Sequence, residues 1–289
     1  MGKPKIFNFV ELGPGDGSLT KVIISTLKKF PEFNKAIKIY LYEKSLFLKK
    51  LQKQNIDNRR IEWIKNFNSI KKGPVIFFGN EFFDAIPIKQ FSYFKSQLFE
   101  KHFILNRESG LSETYRKASK DDISKIKYYK TFKNSKFIEY PKSGFRELEV
   151  IVKKISKLSG GIMLIDYGYL DTINSSTLQA VMGNKKMNMI SLFKNLGKVD
   201  ITYLVNFNLL KEFFTKKDLK VKNIVSQKFF LEKMGILERA KILSKTMTHK
   251  EQNYMKLTLM RLLHKNLMGD LFKVIFAYKS NRNNFLGFE

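Results

Sequence analysis

Short apolar runs alternate along the chain with stretches whose apolar positions recur every three or four residues. The runs are Ile6-Phe7-Asn8-Phe9-Val10, Ile37 to Tyr42, Ile61-Glu62-Trp63-Ile64, Val75-Ile76-Phe77-Phe78, Ile162-Met163-Leu164-Ile165 and Leu271 to Ala277. Runs of this kind predict strands buried on both faces. Between them, Leu19, Val22, Ile23, Leu27 and Phe30 predict one helix, Leu46, Leu48 and Leu51 a second, and Leu148, Ile151, Val152, Ile155 and Leu158 a third. Ser18 and Ser45 read as N-caps, and Pro31 as the stop of the first helix. Strand and helix in alternation predict a parallel sheet with helices on both faces.

Two stretches break the rhythm. Ile88 to Leu105 suggests a hairpin, and residues 106–136 are polar, basic and weakly periodic, an insertion read as partly exposed. Residues 170–200 read as a long ordered loop with a short helix. Beyond them, Leu210, Phe213 and Phe214 mark a helix, Val221 to Val225 a strand, and 229–244 and 254–267 further helices. The prediction is one α/β domain over 1–289, with a Rossmann-like core at about 5–90, 144–170 and 220–280. Insertions then fall at about 91–143, after the fourth strand, and at about 171–219, and the C-terminal elaboration is largely helical.

The first strand runs into Glu11-Leu12-Gly13-Pro14-Gly15-Asp16-Gly17-Ser18. Glycines in a strand-to-helix turn let the backbone approach a ligand, and in an open α/β sheet ligands bind beyond the carboxyl ends of the strands. A dinucleotide fingerprint has the pattern G-x-G-x-x-G. Here Ser18 stands at its third glycine position and the extra glycine comes one place early, at Gly17. Glu11 and Asp16 would repel a pyrophosphate, whereas the sulfonium and α-ammonium of S-adenosylmethionine (SAM) would be attracted.

Acids recur at the other strand ends: Glu43, Glu81 with Asp84, and Asp166. In a parallel sheet they collect along one edge. Glu43 stands where an acid accepts hydrogen bonds from ribose hydroxyls, or else pairs at the surface with Lys44. Trp63 is the only tryptophan, placed either to stack on an adenine or to fill the core. Asn80-Glu81-Phe82-Phe83-Asp84 sets polar groups beside a buried strand. They can serve as an acid/base pair, as a carboxylate clamp for a guanidinium, or as helix caps.

Composition narrows the classes. The 289 residues contain no cysteine, which removes disulfides, thiolate metal sites and cysteine nucleophiles. The three histidines, at 102, 249 and 264, are scattered, so no metal site is expected. The net charge of +28 comes from lysines spread through every segment, which favours solvated faces over a dedicated nucleic-acid surface. The basic insertion at 106–136 is the best local candidate for an acidic partner, against a solvated loop. No run is long and apolar enough to span a bilayer and the start lacks an apolar signal core, so a cytoplasmic protein without membrane insertion is expected.

Three ordered segments carry a resemblance: Glu11-Leu12-Gly13-Pro14-Gly15-Asp16-Gly17-Ser18-Leu19, Asn80 to Pro87, and Ile165-Asp166-Tyr167-Gly168. Thr177-Leu178-Gln179-Ala180-Val181, Asp200-Ile201-Thr202 and Phe230-Leu231 through Gly235-Ile236 to Arg239 extend it. With them the chain resembles the MidA-type SAM-dependent methyltransferases, whose mitochondrial members methylate an arginine on a respiratory complex I subunit during assembly. The resemblance implies SAM as cofactor. It places Glu11, Gly13, Gly15 and Gly17 around its methionine part and Glu43 on the ribose; Pro14, Trp63 and Asn80 are further cofactor-binding candidates by their positions. Asn80, Glu81 and Asp84 would face the acceptor, with Asp166 bordering the cleft. It also implies a protein partner and, for a eukaryotic member, the mitochondrial matrix.

Three departures stand out. The family's upstream Gly-Asp-Phe-x-Thr-Ser-Pro-like motif has no counterpart before the first strand, a His expected after the Thr177–Val181 stretch is replaced around Gly183-Asn184-Lys185, and Asn206 stands for an Asp. The expected function is methyl transfer from SAM to a protein side chain, arginine above others. The alternatives are an assembly factor that grips a partner without turnover, a nucleic-acid methyltransferase and, last, a nicotinamide oxidoreductase.

Overall fold

The computed structural model describes residues 3–56, 60–106, 110–182, 185–187, 197 and 199–289. In chain order the elements are β1 (Phe7–Leu12), α1 (Ser18–Leu27), α2 (Pro31–Ala36), β2 (Ile37–Tyr42), α3 (Leu46–Asn55), β3 (Ile61–Ile64) and β4 (Val75–Asn80). There follow β5 (Lys89–Phe94), β6 (Gln97–Asn106), β7 (Gly110–Lys117), α4 (Lys120–Tyr128), β8 (Phe137–Tyr140), α5 (Lys142–Leu158) and β9 (Gly160–Tyr169). Next come β10 (Gln179–Met182), β11 (Lys185–Met187), β12 (Asp200–Thr202), β13 (Val205–Asn206) and α6 (Phe207–Lys216). The chain ends with β14 (Lys220–Val221), β15 (Val225–Ser226), α7 (Gln227–Lys233), α8 (Ile236–Ser244), α9 (His249–Leu263) and β16 (Phe272–Lys279). No helix among the described residues is long and apolar enough to cross a membrane.

The chain forms two compact units. The first comprises Met1–Phe82, Glu149–Tyr167 and Lys217–Glu289. Its sheet runs in the order β14-β16-β9-β4-β1-β2-β3, with β9, β4, β1, β2 and β3 parallel and β16 antiparallel to β9. Crossover helices cover a parallel sheet, so its strands are apolar toward both sides. On one side Phe7, Ile37, Ile39, Leu41 and Ile61 pack with Leu27 of α1 and with Ile56. Ile165, Phe272, Val274 and Phe276 pack with Phe230 of α7 and with Phe288.

The second unit comprises Phe83–Leu148 and Gly168–Lys216. It holds an antiparallel sheet of order β7-β6-β5-β8 and a small sheet of order β11-β10-β12. Phe83, Tyr129, Phe132, Tyr140, Phe145, Phe213 and Phe214 form its aromatic core, with Phe145 stacked on Phe213 at 4.5 Å. The hairpin expected over Ile88 to Leu105 is present as β5–β6.

The neighbouring expectation needs correction. Residues 106–136 include β7 and α4, and residues 170–200 include β10 and β11. Strands with one face in water carry little apolar signal, which is why they read as loops. The first helix ends at Leu27, and Pro31 starts a new helix rather than stopping the old one, since its fixed φ suits a first helical position.

Asp122 ties the second unit together. It is buried and accepts from Lys142 Nζ at 2.6 Å, Lys89 Nζ at 2.9 Å and Ser119 Oγ at 2.8 Å. Burial pushes its carboxyl up, but these donors outweigh it and hold the pKa at about 2. The folded state therefore binds this proton less tightly than the unfolded chain. The stabilisation, about 2 kcal/mol, is present above the ordinary carboxyl pKa and is lost as pH falls toward 2. Asp122→Asn is expected to lower the unfolding free energy at pH 7 by about 2–3 kcal/mol, and denaturant melts at pH 7 and pH 3 should show the difference shrinking in acid.

Candidate active site

The parallel register aligns the strand ends. Leu12 lies opposite Tyr42 on one side and Gly79 on the other, Tyr42 opposite Ile64, and Gly79 opposite Leu164. Glu11 and Trp63 stand one residue before this row, Asn80 and Glu43 one after it, and Glu81 and Asp166 two after it. Of the acids predicted at the strand tips, Glu11, Glu43 and Glu81 lie at the carboxyl ends of the adjacent strands β1, β2 and β4, whereas Asp166 lies inside β9.

The glycine bend leaves the sheet between two of these strands. The Gly13 N–H donates to Tyr42 O at 3.0 Å and the Gly17 N–H to Pro14 O at 2.9 Å. Gly13, Gly15 and Gly17 all have positive φ, at +61°, +57° and +84°. Their surroundings differ. A Cβ on Gly17 would meet Ile56 Cδ1 at 2.6 Å and one on Gly13 would meet Phe82 Cδ2 at 3.1 Å, whereas a Cβ on Gly15 meets nothing within 4 Å. The bend is packed at its two ends and open at its middle, where a ligand can approach the backbone. Gly17, not Ser18, is the N-cap of α1, and Pro14 within the bend is buried. Ser18 is instead the first helical residue, and its N–H and hydroxyl both donate to Asp16, which holds that carboxyl below the usual range.

Glu11 is buried beneath the bend and accepts the Thr20 hydroxyl. Burial raises its pKa while the Thr20 hydrogen bond pulls the other way. Here the folded state binds the proton more tightly, so stability falls as pH rises from the ordinary carboxyl value to the raised one. Glu11→Gln keeps an acceptor for Thr20 and removes a buried charge. Thermal melts at pH 7 are expected to show a higher midpoint than wild type, by about 2–4 °C for each kcal/mol recovered, with the gain vanishing in acid where both side chains are neutral.

Glu43 accepts from the Ser45 N–H at 2.8 Å and from Gln52 Nε2 at 3.2 Å. Ser45 caps α3 by accepting from the Leu48 N–H. The Trp63 indole donates to Gln52 Oε1 at 3.0 Å, its ring packs against the core cluster beside β2, and Lys53 Nζ lies 5.7 Å from the ring centroid. Trp63 is half-buried against the core cluster and shares its partner Gln52 with Glu43.

Asn80 and Glu81 are exposed. The Glu81 N–H donates to Ile165 O at 2.9 Å, and its φ of +50° is a conformation that non-glycine residues seldom hold. Asn80 Nδ2 lies 3.4 Å from Glu81 Oε1. Asp166 is buried within β9, which continues to Tyr169 rather than closing at Gly168. Asp84 belongs to the second unit. It is buried, accepts Thr202 Oγ1 at 2.8 Å, and lines a cavity of about 600 Å³ with Ile86, Glu100, His102, Ile201 and Tyr203. Asp84 and Asn80 cap no helix, since residues 81–88 carry none.

Three polar residues with structural roles were not singled out in the sequence: Thr20 beneath the bend, Gln52 beside it and Glu139. Glu139 is buried in the second unit and accepts from Gln90 and Thr177. Asn206 accepts the Leu209 N–H at 3.0 Å, a capping contact that Asp makes equally well. The site of the missing His, around Gly183 and Asn184, lies outside the described residues.

A family model described as "Putative S-adenosyl-L-methionine-dependent methyltransferase" matches residues 1–225. Among curated relatives, the mitochondrial protein arginine methyltransferase NDUFAF7 homologue of Caenorhabditis elegans is 26% identical over 92% of this chain and 65% of its own length. The mitochondrial protein arginine methyltransferase NDUFAF7 of Xenopus tropicalis is 24% identical over 84% of this chain and 61% of its own length. The chain thus spans less than two thirds of these relatives. A Burkholderia thailandensis crystal structure with bound S-adenosyl-homocysteine superposes with a TM-score of 0.79 at 18% identity, covering 99% of this chain and 74% of that one. A native structure from the same organism gives 0.80 at 17% identity, covering 98% and 76%. These likenesses show a shared fold.

Proposed function

This chain belongs to the S-adenosyl-L-methionine-dependent methyltransferase family, and from that premise we propose that it transfers a methyl group from SAM to an arginine side chain of a partner protein. One observation carries the reading: Glu11, Glu43 and Glu81 lie at the carboxyl ends of three adjacent strands, β1, β2 and β4, beside a glycine bend whose middle residue faces open space. The bend at Gly13, Pro14, Gly15 and Gly17 would hold the methionine part, Glu43 the ribose hydroxyls, and Asn80 the neighbouring edge, with Glu11 supporting the bend from beneath. SAM supplies an electrophilic methyl carried on a sulfonium.

The chain's own task is alignment. An arginine guanidinium stays protonated in water and matches carboxylates bidentately. Glu81 would orient it, concentrate its charge away from the attacking nitrogen, and accept at its carboxylate the proton that nitrogen loses. Asn80, 3.4 Å from Glu81 Oε1, would fix that carboxylate. Asp84 would contact the acceptor protein in the second unit, where it shares a cavity with Glu100, with Lys89 and Lys101, and with apolar Ile86 and Ile201. Methylation keeps the acceptor's charge and blocks a bidentate contact.

The arginine is supported by the names of the relatives and by this acid-lined chemistry. A respiratory complex I subunit is the acceptor we infer. Mass spectrometry of complex I subunits from cells with and without the gene tests it: one methyl-arginine should disappear with the gene. An unchanged set of methyl-arginines would refute that acceptor.

A further inference from the structure

Gln52 touches the glycine bend, the acid after β2 and the single tryptophan together. It lies on α3 and is fully buried. Its Nε2 donates to Gly15 O at 2.7 Å and to Glu43 Oε2 at 3.2 Å, while its Oε1 accepts from Trp63 Nε1 at 3.0 Å. The partners leave no choice of amide orientation. A carbonyl and a carboxylate only accept, and an indole N–H only donates. Both amide protons and the oxygen are therefore used, and the three anchors lock the amide.

The rest of α3 supports the same grip. Asn55 Nδ2 donates to Asp16 O at 3.0 Å, one residue beyond Gly15, and Gln52 Cγ lies near the Cβ direction of Gly17. Gly15 has no protein atom against its own Cβ direction and a positive φ, so the Gln52 contact adds to the Gly17–Pro14 turn bond in restraining its peptide. An exposed glycine without such a restraint samples many conformations.

We propose that Gln52 is a positioning residue for the cofactor. It fixes the Gly15 peptide and the Glu43 carboxylate relative to each other before the ligand arrives, so that the bend and the ribose acid act as one preformed surface. Trp63 anchors the far end of this amide and reports on it optically. The inference rests on the reading of the bend and Glu43 as the SAM site. The general reason is that a preorganised site does not pay for ordering on binding.

The test uses the full chain and S-adenosyl-homocysteine, by calorimetry at a temperature where every variant is folded. Gln52→Leu preserves volume and removes all three hydrogen bonds. It is expected to raise Kd about 10–100-fold and to shift Trp63 emission, since the indole loses its acceptor. Gln52→Glu keeps an acceptor for Trp63 but sets a carboxylate against Glu43 and Gly15 O. Its Kd should rise at least as much, with Trp63 emission near that of wild type. Trp63→Phe removes one anchor only and should raise Kd by less than about 3-fold, which gives a readout even if Gln52→Leu fails to fold. Variants that melt earlier yet bind with wild-type Kd would make Gln52 merely structural and overturn the proposal. Wild-type protein that binds no S-adenosyl-homocysteine would overturn the cofactor reading itself, and this inference with it.

Discussion

Glu81→Gln is expected to reduce methyl transfer by about 100-fold or more while leaving SAM affinity within about two-fold of wild type. The substitution keeps the side chain's size and its position after β4, where the backbone N–H is held by Ile165 O and φ is +50°. It removes the charge that would orient a guanidinium and the oxygen that would take up its proton. The cofactor surface on β1 and β2 is untouched, so binding and turnover separate. Single-turnover transfer with labelled SAM, beside calorimetry, checks this. Turnover at the wild-type rate would remove Glu81 from the mechanism. Equal loss of binding and transfer would move it into the cofactor site.

The second large effect concerns Gly15→Val. The added Cβ meets no protein atom within 4 Å and points into the space a ligand would use. The φ of +57° adds a backbone penalty of about 1–2 kcal/mol for a side-chain-bearing residue. SAM affinity is expected to fall at least about 100-fold, with a modest loss of thermal stability. Gly17→Ala provides the contrast. Its Cβ would lie 2.6 Å from Ile56 Cδ1, so stability should suffer first. Calorimetry and thermal melts on the two variants separate occupation of the site from disruption of the fold. Unchanged SAM binding by Gly15→Val would place the ligand elsewhere.

The strand tips were legible because strands buried on both faces are continuous apolar runs, and the first polar residue after each run marks its carboxyl end. Glu43 and Asn80, with Glu81 next to it, follow from that rule. The register then places them on adjacent strands, as a parallel sheet requires. Gln52 was not legible. A glutamine inside a helix reads as a solvent-facing position, and only the packing of α3 against the bend buries it. Thr20 was hidden in the same way, since its partner Glu11 lies on a different element.

Trp63 shows the limit of reading a position without its partners. Its place near the sheet edge was compatible with stacking on a base or with filling the core; the structure holds its N–H on Gln52 and packs its half-buried ring against the core cluster. The half-exposed strands of the second unit failed for another reason. Residues 112–115 alternate between half-buried and exposed positions and 116–117 are exposed, with no apolar run to mark them. Two segments singled out by resemblance acquired physical roles there: Thr202 holds Asp84 and Thr177 holds Glu139.

The central claim is that acidic strand ends around an open glycine bend form a SAM site. Calorimetric titration of SAM into the full chain at neutral pH tests it most directly. One saturable site per chain is expected, with Kd below about 100 μM and a matching rise in thermal midpoint with ligand concentration. No heat and no thermal shift at about 1 mM ligand would contradict it.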